Sequence, residues 1–456
     1  MEIKLTGISI RNFKSFEDAH VDLDQFNVLV GPNLSGKSNF IDVFRFLKEA
    51  FNLTTPYDPT TPWWGYNNLV FNKKENKLIN FDFHLNINSL LVVYSISFGQ
   101  EYGNFRLMDE RLQIESIALF TRTKSGKIRI EYDRAFLESK KSEFVKRLLN
   151  DTIRYRYDEV KLPEDLNTLD SVFNGVFDET IAKMIFPYPS SQKKEKSIII
   201  RINRSDIGEI QKIYDYQFTK EKFQDIIDRK EEVVILFPYN IIKLARNYLE
   251  DLITRNIILK NIDFPAIKQD KHSKFGLNLK ESAENLVDIL YRWSQDYAGK
   301  LPESFNIGLK RNFPNLRIKF DHSETGKVFL KIIEQNKEFS APLISDGLIK
   351  FLSILAAIEF KPKLIIIDEV ENSLHAKVIK YILDELRDLT ETTVIITTHS
   401  PVVIDFTRLE DIKIVEKIHD SQIIAIKNIE KLKVRLNELG ITHSDSLLNG
   451  PIKDFL

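Results

Sequence analysis

The spacing of apolar positions changes character several times along the chain. Residues 3–10 and 20–30 alternate as two strands around Arg11-Asn-Phe-Lys-Ser-Phe16, the second ending in the apolar run Phe26-Asn-Val-Leu-Val30. Phe40, Phe44, Leu47 and Phe51 then fall at helical spacing, which predicts a helix of roughly four turns starting near Lys37. Pro56, Pro59 and Pro62 forbid regular structure in the next stretch. Trp63 and Trp64 follow, and they are expected to close the edge of a core, because large aromatics are buried far more often than they are ligands; a stacking surface for a base or a partner is the alternative. From Leu78 to Tyr132 strand alternation returns, in Ile79–Ile87, Leu91–Phe98 and Ile128–Ile130, with a turn signal at Ser125-Gly126. An antiparallel lobe is the expectation.

Charged helical segments such as Ser139–Asp151 and Phe218–Lys230, broken by Pro163, Pro187, Pro189 and Pro238, fill residues 133–275. No heptad pattern is sustained there, so any helical arm is short. Beyond Leu277, Leu286, Ile289 and Leu290 mark a helix, and strands follow at Leu316–Phe320 and Val328–Ile333. Leu348, Phe351, Leu352, Leu355 and Ile358 trace a further helix, with Ser345 as its N-cap and Asp346 in the first turn. Leu364-Ile-Ile-Ile367 is continuously apolar, as in a strand buried on both faces of a parallel sheet, and Thr393–Thr398 repeats that pattern one β-α-β unit later. Val378, Ile379, Ile382, Leu386 and Leu389 form the apolar stripe of the crossover helix between them. The predicted fold is α/β: a mixed or parallel core sheet, an antiparallel β lobe and a largely helical insertion, divided into residues 1–132, 133–275 and 276–456.

Composition narrows the function classes. A chain of 456 residues has the length for two or three subdomains with a sizeable core. Its 65 basic and 66 acidic residues leave a net charge of −1, which favours neither a nucleic-acid coat nor a membrane-surface protein. The basic clusters Lys140-Lys141, Arg154-Tyr-Arg-Tyr157 and Lys193-Lys194-Glu-Lys196 could face a phosphate backbone; solvated surface is the plainer expectation. Cysteine is absent, which excludes disulfides, thiolate nucleophiles and cysteine metal sites. No apolar run reaches membrane-spanning length and no leader pattern opens the chain, so a soluble cytoplasmic protein without a membrane partner is expected.

The candidate chemistry begins at Gly31-Pro32-Asn33-Leu34-Ser35-Gly36-Lys37-Ser38, which fits the phosphate-loop pattern G-x-x-x-x-G-K-[ST] between a strand and a helix. Backbone amides there can converge on an anion, Lys37 can reach the β and γ oxygens of a nucleotide, and the Ser38 hydroxyl suits Mg²⁺. Asp368 and Glu369 end the apolar strand, at the rim where α/β sheets bind ligands. Asp368 is assigned to the metal and Glu369 to the attacking water. His399 ends the second such strand, at the same rim, in position to contact a γ-phosphate. The helix start at Ser345-Asp346-Gly347 is another anion site, without a phosphate of its own pocket to serve.

The order Gly31-x-Asn33-x-Ser35-Gly36-Lys37-Ser38-Asn39, Ser345-Asp-Gly347, Ile-Ile-Ile-Asp368-Glu369 and Thr-Thr-His399-Ser400 resembles the ABC-type ATPase heads of the SMC and RecF group, and more narrowly the prokaryotic AAA-type ATPases with an insertion between the first two motifs. The opening Ile10–Phe16, Glu284-Asn-Leu286, Asp368–His375 and Leu439–Gly450 fit as well. The resemblance implies ATP and Mg²⁺ as cofactors, with Ser345 and Gly347 acting in trans on a second copy. Two ATP would be sandwiched in a head-to-head homodimer or higher oligomer, with Asn372, Ser373 and His375 near the crossing point. It also implies a coupled partner: DNA, as in RecF-like clamps, or a protein effector, as in anti-phage pairs of the PARIS or Septu type. Val370 and Ala376 depart from the family's usual prolines, and the Q-loop glutamine has no placement beyond the unsupported Gln100 and Gln113. Overcoming-lysogenization-defect relatives continue into a TOPRIM nuclease. With only about sixty residues after the histidine motif, no nuclease domain is expected here.

Overall fold

The computed structural model describes residues 3–51, 58–132, 244–269 and 278–449, apart from residues 88, 116–117, 124–127, 246 and 325. The helical insertion expected over most of 133–275, its basic clusters and the Ser125-Gly126 turn lie outside the described residues. Two compact units emerge, one made of residues 1–14 and 49–250, the other of residues 15–48 and 251–456. None of the described helices is long and apolar enough to cross a membrane.

The first unit is an antiparallel sheet built from β1 (Ile3–Phe13) and, after β2 and β3 of the other unit, β4 (Ile79–Ile87), β5 (Leu90–Glu101), β6 (Asn104–Ile114), β7 (Ala118–Thr123) and β8 (Ile128–Tyr132). Alternate positions of β4 are fully buried, as the period-2 pattern requires. Tyr102 and Gly103 at the β5–β6 hairpin both have positive φ, the geometry of a tight turn matched to sheet twist. Tyr66 is buried and donates its hydroxyl to the Lys77 and Phe98 carbonyls. Trp64 is a correction to the sequence reading: it is 90% exposed, its backbone in the left-handed region, and it closes no core.

The second unit carries β2 (Phe16–Asp22) and β3 (Phe26–Val30), which the sequence pattern merged into one strand. Asp24 and Asn27 separate them: the Asp24 amide donates to Asn27 Oδ1 at 2.9 Å and Asn27 Nδ2 donates back to the Asp24 carbonyl at 2.6 Å, a side-chain turn that interrupts pairing. The core sheet has the order β16-β15-β3-β14-β13-β9, with β9 (Ile257–Leu259), β13 (Leu364–Ile367), β14 (Thr393–Thr398), β15 (Ile412–Lys417) and β16 (Ser421–Ala425). Its pairs are parallel except the β15–β16 hairpin at one edge. Every residue of β3, β13 and β14 is buried, in keeping with strands covered on both faces; their few polar side chains include Asn27 and Thr397. The helices Leu286–Asp296, Asp346–Glu359 and Ala376–Arg387 share the apolar core of this sheet. A small antiparallel sheet, β10 (Leu316–His322), β11 (Val328–Glu334) and β12 (Lys337–Ser340), belongs to the same unit.

One core strand lies where the sequence pattern placed the insertion. β9 is three residues long and lies in the stretch read as insertion, yet it forms an edge of the core sheet beside β13. Gln100 and Gln113, the glutamine candidates, sit on β5 and β6 of the first unit.

Candidate functional site

The phosphate-loop segment lies between β3 and the helix Lys37–Ala50, as its pattern requires. Its back is pinned by serines. Ser421 Oγ donates to the Ser35 carbonyl at 2.6 Å and bonds Ser15 Oγ at 2.8 Å, and Asn39 Nδ2 donates to that same Ser15 hydroxyl at 2.7 Å. Gly36 is forced twice: its φ is +121°, and a Cβ there would come within 2.4 Å of Ser421 Oγ. The loop tip faces outward, with Pro32, Asn33, Leu34 and Ser38 exposed. Lys37 is buried; its Nζ donates to the carbonyls of Gly31 and Pro32 at 2.6 and 2.9 Å. Burial lowers its pKa, and the negative charges of Asp368, Glu369 and Glu371 oppose that shift. Lys37 and the acids therefore share one electrostatic site.

Strand register builds the acid turn. Parallel pairing sets Ile367 opposite Ile396, so Asp368 and Thr397 come next to each other at the strand ends. Thr397 Oγ1 donates to Asp368 Oδ1 at 2.5 Å and accepts the Glu369 amide at 2.9 Å. Glu369 adopts φ +47°, a strained setting for a residue with a side chain, and it is held there by neighbours. Asn372 Nδ2 donates to Glu369 Oε2 at 2.6 Å, and Lys350 Nζ donates to the Glu369 carbonyl at 2.6 Å. Lys260, which follows β9, lies 3.5 Å from Asp42 Oδ1 and 4.0 Å from Asp368 Oδ2.

His399 meets the acid turn through Glu371: its amide donates to Glu371 Oε1 at 3.1 Å and its Nδ1 lies 3.4 Å from the same oxygen. The imidazole itself is about half exposed, with a side-chain exposure of 49%. Ser345 caps its helix, Oγ accepting the Leu348 amide at 3.3 Å. Gly347 packs against the turn that follows the acids; a Cβ on it would sit 2.3 Å from the Ser373 carbonyl oxygen. The spatial grouping is thus Lys37, Asp368, Glu369 and His399, joined by residues that sequence reasoning passed over: Thr397, Glu371, Lys350 and Lys260. A register of one strand pair was the signal for Thr397. Lys350, which is 4% exposed, falls opposite the apolar stripe Leu348–Ile358 in the helical pattern, so the periodicity gave no signal for it.

The donor set suits a nucleotide. Ser35 Oγ and Glu371 Oε2 are buried polar atoms without a hydrogen-bond partner among the described residues, and both belong to this site. A buried lysine ammonium and a helix N-terminus directly after the loop favour phosphate oxygens. Asp368, with Oδ1 fixed by Thr397, and the exposed hydroxyl of Ser38 supply hard oxygen donors of the kind Mg²⁺ takes.

A strand, phosphate loop and helix, with acids at the end of a neighbouring parallel strand, define an α/β protein of nucleotide-binding type. The chain belongs to the family described as "AAA domain, putative AbiEii toxin, Type IV TA system", whose model matches residues 26–405. Endonuclease GajA of Bacillus cereus (strain VD045) is 44% identical over 45 residues, 10% of this chain and 8% of that protein, so the matched stretch spans a small fraction of that relative. Among solved structures, the Smc head domain with an extended coiled coil bound to the C-terminal domain of ScpA, from Pyrococcus furiosus, matches at 14% identity and a TM-score of 0.42, covering 96% of this chain and 100% of that one. The SMC head domain from Thermotoga maritima matches at 13% identity and a TM-score of 0.33, covering 93% and 99%.

Proposed function

We propose that this chain binds ATP with Mg²⁺ and hydrolyses it, and that two copies close head to head around two nucleotides to control a partner. The observation that carries the reading is the parallel strand order β3-β14-β13, which brings the phosphate loop after β3 and the acid turn after β13 to the same end of the core sheet. In this reading Lys37 and the loop amides from Asn33 to Asn39 hold the phosphates, lined also by Gly31 and Pro32, and Ser38 with Asp368 would hold Mg²⁺. When bound, the ion would supply neutralisation of the charge on the phosphates. Glu369 orients and deprotonates the attacking water; Thr397 holds its strained backbone through the amide and Asn372 holds its carboxylate through Oε2. His399 senses the γ-phosphate, oriented by Glu371. Ser345 and Gly347 serve the partner copy's nucleotide.

The partner we favour is a protein effector, in the manner of anti-phage ATPase–effector pairs. The toxin named in the family description and the endonuclease named for GajA support that choice. A DNA clamp of RecF character is the other reading. The test is Glu369→Gln: turnover drops by about a hundredfold or more, the scale of a general base, and the mass measured with ATP becomes that of a dimer. Wild-type turnover in that variant overturns the assignment. An effector co-purifying with the trapped form supports the first partner; steeply salt-dependent DNA binding without one supports the second.

A further inference from the structure

Lys350 is a buried ammonium beside the acid turn, and it touches neither the phosphate loop nor the carboxylates in any hydrogen bond of the described residues. It lies one turn into the helix Asp346–Glu359 and is only 4% exposed, among Ile349, Phe351 and Leu352, all buried. Burying an ammonium is costly unless it is bonded, and Lys350 Nζ donates to a main-chain oxygen, Glu369 O, at 2.6 Å. That oxygen belongs to the residue with φ +47° whose side chain carries the proposed base. A second contact ties the same two segments: Gly347, one turn before Lys350, abuts the Ser373 carbonyl so closely that a Cβ would be 2.3 Å away. The helix that starts at Ser345 and the turn 368–373 are therefore joined at two points, one a close backbone approach and one a charge-assisted hydrogen bond.

We propose that Lys350 is a positioning residue: by holding the Glu369 carbonyl it fixes the strained backbone of the acid turn, and so sets the Glu369 carboxylate from the helix that begins at Ser345. A load on Ser345 and Gly347 at the helix start is then transmitted to the carboxylate through two adjoining contacts. The inference rests on the assignment of Glu369 as the base. A merely structural lysine would change stability and leave the kinetic constants of the folded enzyme alone.

The experiment uses the full-length chain with Mg-ATP and three variants, Lys350→Met, Glu369→Gln and their double, with ATP affinity read by a fluorescent ATP analogue. Lys350→Met is expected to lower kcat about tenfold or more while KM and analogue affinity stay within about threefold, and Lys350→Arg is expected to recover part of the loss. In the double variant turnover is expected to equal that of Glu369→Gln alone, since both changes remove one function. Lys350→Met with kcat within twofold of wild type overturns the proposal, as does a double variant slower by the product of the two effects. Should Lys350→Met not fold, Lys350→Gln, which keeps a donor for the carbonyl and loses the charge, decides by the same two constants. If Glu369→Gln itself turns over normally, the assignment of the base has failed; if Glu369→Gln is inactive and Lys350→Met is normal, the failure belongs to Lys350 alone.

Discussion

Thr397 donates its hydroxyl to Asp368 at 2.5 Å and with the same oxygen accepts the Glu369 amide at 2.9 Å. One side chain on β14 thus fixes the Asp368 carboxylate and the backbone of Glu369 at the end of β13. Thr397→Val keeps the shape and removes both bonds from a half-buried amide and a half-buried carboxylate. The fold is expected to lose about 1 kcal/mol, the usual net scale of such hydrogen bonds, seen as a lower urea midpoint at unchanged slope. ATP turnover is expected to fall by more than the folded fraction does, while Thr397→Ser keeps both. Equal turnover of Val and wild-type proteins would show that the pair does not depend on this hydroxyl.

Gly347 gives a prediction of sign. Glycine to alanine inside an exposed helix ordinarily stabilises by about 1 kcal/mol. Here the new Cβ would lie 2.3 Å from the Ser373 carbonyl oxygen, a backbone atom that cannot swing away. Overpacking of that kind costs about 1–3 kcal/mol, so Gly347→Ala is expected to destabilise the chain. A raised melting temperature in the variant would contradict the close approach of the helix start to the acid turn.

The buried ammonium of Lys350 makes stability depend on alkaline pH. Burial pushes its pKa down from 10.5 to about 8, with Glu371, Glu369 and Asp368 pulling the other way. Between those values the unfolded chain binds more protons than the folded one, so unfolding free energy rises with pH, by at most about 1.4 kcal/mol per pH unit from this group. Below about pH 8 both states carry the charge and the slope vanishes. The quantity to measure is the difference in stability between wild type and Lys350→Met from pH 7 to 10, which should turn in favour of wild type as pH rises; a flat difference would mean the lysine is not desolvated as the helix places it.

How much of this could be read from sequence follows the range of each interaction. Gly31–Ser38, the run Leu364–Ile367 and the Ser345 cap are local: spacing, small residues and capping chemistry lie within a few positions, and they map onto the loop, β13 and a capped helix start. Thr397 and Glu371 acquire meaning only through the β13–β14 register and the turn after it, which no window of sequence contains. Lys350 lies opposite the apolar stripe of its helix, where the pattern predicts solvent, and its partner is a carbonyl nineteen positions away. β9 is too short to show periodicity, and Trp64 followed a composition rule that its left-handed backbone overrides.

Glu371 gives the last prediction, on nucleotide affinity. Burial lowers the pKa of Lys37, and the charges of Asp368, Glu369 and Glu371 raise it back in part. A phosphate is held by the protonated ammonium, so ATP affinity is expected to fall as pH rises through the Lys37 pKa. Glu371→Gln removes one of the three opposing charges and leaves an acceptor for the His399 amide. The alkaline limb of ATP binding should then move to lower pH, while Lys37→Met should bind weakly with no limb at all. Titrating affinity for a non-hydrolysed ATP analogue from pH 7 to 10 in the three proteins checks the sign. A limb that moves upward in Glu371→Gln, or that survives in Lys37→Met, would detach Lys37 from the acid turn and with it the argument that loop and acids act as one site.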